Sequence, residues 1–62
     1  MSNIYIEQRV GDLAIGYRYY PDQLQYEMVK QVGENRAVTF VEAEDVPEYV
    51  KKAVKILLEE EV

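Results

Sequence analysis

Glu7 and Glu27 come nearest to a paired-carboxylate arrangement in this chain, because hairpin pairing sets them on either side of Gly16. General acid–base work would need such a group in a desolvated cleft. Arg9 and Arg18 fall on the same side and are near enough to pair with both, so solvated ion pairs are the expectation. The chain has no His and no Cys, and its aliphatic hydroxyls belong to Ser2 and Thr39. Neither a histidine-based nucleophile pair nor a thiolate or imidazole metal set can be assembled from that inventory. "EAED" at 42–45 lacks the alternating Asp/Asn/Gly pattern of a calcium loop. "VGENR" has a single glycine and no following Lys-Ser/Thr, so it does not cradle phosphate. The chain is expected not to be an enzyme and to carry no metal and no cofactor.

Recognition chemistry is better represented. "GYRYYPDQLQY" gathers four tyrosines and an arginine around one turn, and Tyr and Arg are the types enriched where interfaces carry energy. Strand alternation sends Tyr17, Tyr19 and Tyr26 to one side as core. It sends Tyr5 and Tyr20 to the other with Arg18, among Glu7, Arg9, Gln25 and Glu27 and over Ala14, Gly16, Val29, Thr39 and Val41. A solvated face of cross-strand pairs and a genuine contact surface both account for this pattern. The candidate partner-binding set is Tyr5, Arg9, Arg18, Tyr20, Gln25 and Glu27. A second candidate is the acidic tail Glu59, Glu60 and Glu61, which opposes a helix C-terminal dipole. It reads as a solubilising end or as a hook for a basic partner.

These groups must be held by very little protein. Sixty-two residues without a cysteine form one small domain, 1–62, with a modest core, and self-association is an expected route to further burial. The net charge is −5. Residues 1–41 are close to neutral, and the excess acid lies in 42–62, which disfavours binding driven by phosphate neutralisation. No apolar run is long enough to span a membrane, and "MSNIYIEQRV" lacks a signal-peptide pattern. A cytoplasmic location with no membrane contact is expected.

Period-two runs predict strands over 3–10, 13–20, 24–32 and 36–41, and a period near 3.6 predicts a helix over 46–59. Gly11-Asp12 is a two-residue hairpin turn that pairs Val10 with Leu13, Ile6 with Tyr17 and Ile4 with Tyr19. Pro21-Asp22, read as a second two-residue turn, pairs Tyr19 with Leu24 and Tyr17 with Tyr26. Gly33-Glu34-Asn35, read as a three-residue loop with Asn35 left-handed, sets Met28 against Phe40 and Lys30 against Val38. Asp45 is the expected N-cap, with Glu48 completing a box. Val46, Tyr49, Val50, Ala53, Val54, Ile56 and Leu57 fall within a roughly 160° arc. One apolar sheet face and one amphipathic helix need each other. The predicted fold is α+β: a four-stranded antiparallel meander with a C-terminal helix on one face, β-β-β-β-α.

"RAVTFVEAEDVPEYVKKAV" resembles the last strand, Asp-x-Pro cap and C-terminal helix of the small archaeal chromatin proteins. The strand–helix order is also similar to that of sheet-and-helix single-strand binders of the transcription-coactivator type. The chain departs from the chromatin proteins in being acidic, lacking Trp and lacking lysine-rich strands, so their DNA binding is not carried over. The expected function is a small non-catalytic protein–protein interaction module (an accessory subunit, adaptor or inhibitor), with a protein partner or a homodimer. The alternative is single-stranded nucleic-acid binding, with Tyr5 and Tyr20 stacking on bases and Arg9 and Arg18 meeting phosphates.

Overall fold

The computed structural model describes residues 3–60. Four strands, β1 (Ile4–Val10), β2 (Leu13–Tyr20), β3 (Gln25–Val32) and β4 (Asn35–Val41), form one antiparallel sheet in chain order. A single 3-10 turn at Ala43–Asp45 leads to helix α1 (Glu48–Glu60). The predicted α+β meander with one C-terminal helix is the observed fold.

The first hairpin has the expected register, from Val10↔Leu13 to Ile4↔Tyr19. Gly11 sits at φ 59 in the first central position of its turn, a left-handed conformation that glycine adopts without a Cβ penalty.

The second reversal differs from the two-residue reading. Pro21–Leu24 is a four-residue loop closed by the Gln23 N–H donating to the Tyr20 carbonyl at 3.2 Å. Tight two-residue hairpins want positive φ, whereas proline fixes φ negative and suits the leading corner of a type I turn. An extra left-handed residue must then restore the strand direction, and Leu24 takes that role at φ 51. Tyr19 consequently opposes Tyr26 and Tyr17 opposes Met28. The shift is two residues, so each side chain keeps its expected face.

The third reversal differs by one residue, and there the face changes. Gly33 at φ 60 and Glu34 form a two-residue turn, with Asn35 already in β4 opposite Val32. Met28 therefore opposes Thr39 and not Phe40, and Lys30 opposes Ala37 and not Val38. A single-residue slip sends every β4 side chain to the opposite side. Val41 joins the core instead of the open face, while Val38 and Phe40 leave it. The two glycine tips lie together, the Gly33 N–H donating to the Asp12 carbonyl at 3.1 Å.

The core is Ile4, Tyr17, Tyr26, Val46, Val50 and Val54, with Ile6, Ile15, Tyr19, Met28, Val41 and Leu58 packed around it. Tyr19 and Tyr26 meet with ring centroids 4.7 Å apart. Helix α1 lies chiefly over β1, so the i, i+4 row Val46–Val50–Val54–Leu58 makes the contact. Tyr49, Ile56 and Leu57, expected on the buried arc, stay exposed. Gln8, the polar exception on the helix side, accepts a 2.9 Å hydrogen bond from the Tyr49 hydroxyl.

Asp45 does not cap the helix. Pro47 holds Val46 extended, at φ −86 and ψ 132, because the residue before proline avoids the helical region. The helix starts after it, with the Pro47 carbonyl accepting from the Val50 and Lys51 N–H groups at 3.1 and 3.2 Å.

Candidate interaction face

The side of the sheet away from α1 is built in transverse rows. Tyr5, Arg18, Glu27 and Phe40 stand opposite one another across all four strands. Next to them runs Glu7, Gly16, Val29 and Val38, and beyond it Arg9, Ala14, Gln31 and Arg36. Tyr20 and Gln25 form a short row at the other end. All six candidate contact residues, Tyr5, Arg9, Arg18, Tyr20, Gln25 and Glu27, thus share one face.

The middle of this face is not open to water. Ala14, Gly16, Glu27 and Val29 are buried there. Gly16 is covered by Tyr5, whose hydroxyl and ring edge occupy the volume that a Cβ on Gly16 would need. Glycine is required at 16 for this close approach, since its φ is unexceptional. The Arg18 guanidinium carbon lies 5.1 Å from the Tyr5 ring centroid, a cation–π distance. Burial raises the Tyr5 phenol above its ordinary value near 10, and the hydrogen bond to Glu7 adds to the rise.

Both carboxylates on the face are neutralised in place. One Glu27 carboxylate oxygen accepts from the Arg18 guanidinium and from the Tyr20 hydroxyl, each at 3.1 Å. Glu7 accepts from the Tyr5 hydroxyl at 3.0 Å and pairs with Arg9 at 3.7 Å. The two carboxylates are therefore committed to separate arginine–tyrosine partners. Among the described residues there is no concave pocket at which a substrate could be enclosed.

Three β4 residues of this face, Arg36, Val38 and Phe40, escaped the sequence reading. Phe40 is 57% exposed and Val38 49% exposed, and Phe40 lies 6.3 Å from Tyr20 between ring centroids. The signal was present: Val32-Gly33-Glu34 repeats the Val10-Gly11-Asp12 pattern already read as a two-residue turn. Thr39 and Val41, expected here, lie on the helix side. Glu59 and Glu60 end α1 exposed, with no basic residue in its last turn; Glu61 and Ser2 lie outside the described residues. No helix among the described residues is long and apolar enough to cross a membrane. Comparison with family models, curated proteins and solved structures finds no match for this chain.

Proposed function

We propose that the chain is a small, non-catalytic, cytoplasmic protein–protein interaction module, an accessory subunit, adaptor or inhibitor, whose contact face is the sheet side away from the helix. One observation carries the reading: Phe40 and Val38 are exposed on a face where Glu7, Arg9, Arg18 and Glu27 already satisfy each other. Free charges resist removal from water, and a partner covering them must supply replacements. Here Arg18 and Glu27 bring their own partners, so the cost falls mainly on ordering the rim. Exposed aromatics beside such a network are the usual anchors of a contact.

A photo-reactive residue placed at position 40 tests the proposal against the same residue at Lys52, on the outer side of α1. Cross-linking to a protein from position 40 alone, lost in Arg18→Glu and Tyr20→Ala, is the expected result. Equal or absent cross-linking from both positions overturns it.

Single-stranded nucleic acid is the second reading. It is favoured by the three rings Tyr5, Tyr20 and Phe40 on one face, with Arg36 in no ion pair among the described residues. Glu7 and Glu27 on that face work against it. Absence of oligonucleotide binding at low ionic strength would end it.

A further inference from the structure

Strand β4 is a bare sheet edge. It is paired without interruption from Val32↔Asn35 to Tyr26↔Val41, so it carries no bulge. It contains no proline or lysine, and α1 lies on the opposite margin over β1. Of the devices that usually blunt an exposed edge, the strand keeps only the charge of Arg36. In a hairpin closed by two residues, the flanking pair exchanges both backbone hydrogen bonds. Asn35, Ala37, Thr39 and Val41 accordingly turn their N–H and C=O groups towards β3. Arg36, Val38 and Phe40 turn theirs outward.

The residues along this edge are complementary to their own reverse. Arg36 stands near one end, and Glu42 follows the other end in extended backbone, at φ −76 and ψ 150. We propose that two copies of the chain pair β4 to β4, antiparallel about Thr39, to give a continuous sheet of both molecules. In that register Arg36 opposes Glu42 of the second copy, Val38 opposes its Phe40, Ala37 its Val41, and Thr39 its Thr39. Opposite-charge, aromatic–β-branched and Thr–Thr pairs are the stabilising cross-strand classes. The neighbouring registers are poorer. Centring on Val38 sets Glu34 against Glu42, and centring on Ala37 sets Phe40 against Glu34. The chosen pairing also joins the two faces bearing Phe40 and Val38 on one side of the double sheet. The inference rests on the reading of the chain as an interaction module and names a second copy as the partner at this edge.

Thr39→Cys tests it directly, because the chain has no other cysteine. Residue 39 would face its counterpart in a non-hydrogen-bonded pair, with Cα atoms ~4.5 Å apart and within disulfide reach. Oxidation is expected to give a covalent dimer from Thr39→Cys and none from Val38→Cys, whose side chain lies on the other face. Arg36→Glu and Glu42→Arg should each weaken self-association about tenfold, since two attractive pairs become repulsive. An equimolar mixture of these two variants should recover it as a heterodimer by native mass spectrometry. Both positions are exposed, and circular dichroism should show the fold unchanged.

A chain that stays monomeric at every concentration, equal cross-linking from both cysteine variants, or no recovery on mixing overturns the inference. Cross-linking from position 40 to a different protein, with Thr39→Cys inert, would remove the self-pairing and leave the contact face standing. A Thr39→Cys dimer in which position 40 links only to a second copy would do the reverse.

Discussion

At the scale of single residues, Gly16 and Tyr5 act as one unit. Gly16→Ala places a methyl group where the Tyr5 hydroxyl and ring edge lie. Tyr5 stands on an edge strand and can swing out, so the cost is that of overpacking eased by a mobile ring, about 1–2 kcal/mol. In a Tyr5→Ala background the same change should become neutral or stabilising, because alanine suits a strand better than glycine. A double-mutant cycle by urea unfolding reads the difference, and additivity of the two changes would refute the contact. The tyrosines also set an alkaline limit. Burial raises the Tyr26 phenol, with the nearby Tyr19 adding to it, and burial with Glu7 raises that of Tyr5. A raised phenol holds its proton more tightly in the folded chain than in the unfolded one. The stability this represents is complete below pH about 10 and is lost as pH climbs through the folded-state values. Urea midpoints should therefore fall as pH rises above about 10, and Tyr26→Phe should flatten the fall.

At the scale of elements, the turns decided what could be read. Gly11-Asp12 has glycine in the position that a tight turn demands, and the whole register of β1 on β2 follows from it. Pro21 hid a four-residue loop, but an even shift left parity intact, so Tyr17 and Tyr26 are buried and Arg18 faces outward as expected. Asn35 was the costly ambiguity. Asparagine tolerates left-handed backbone, and assigning it to the loop moved Phe40 under the helix. The six candidate residues keep their expected face because none of them lies on β4. Phe40 and Val38 were lost because both do. Mutational energies separate the two registers sharply. Phe40→Ala should cost under about 1 kcal/mol, the value for a half-exposed ring, whereas a phenylalanine beneath the helix would cost about 3–5 kcal/mol. Val50→Ala, at the one fully buried large side chain among the described residues, should cost about 2 kcal/mol or more. If Phe40→Ala proves the more damaging of the two, the observed β4 register is wrong. The helix was legible in its Val46–Val50–Val54 row. Its burial was overestimated because position over a sheet margin, which sequence periodicity does not encode, leaves Tyr49, Ile56 and Leu57 uncovered.

At the scale of the whole molecule, the chain is spread thin. Its radius of gyration is 11.9 Å, against roughly 10.6 Å for a compact domain of this length. It exposes 4636 Å², where a monomer of its mass exposes roughly 4,200 Å². The excess follows from a helix that covers one margin of a four-stranded sheet. If β4 pairs with a second copy, folding and association are linked, and the melting temperature should rise with protein concentration by mass action. A melting temperature independent of concentration across the range where the dimer forms would contradict that linkage. The same lopsided placement of α1 carries one more consequence. Helix, Tyr49–Gln8 hydrogen bond and Arg9–Glu7 ion pair all dress the β1 margin, while β4 is left plain. A ribbon with one finished border can be stitched only once. If the β4 edges pair, growth stops at two molecules, and an otherwise fibre-prone strand is spent on a closed pair.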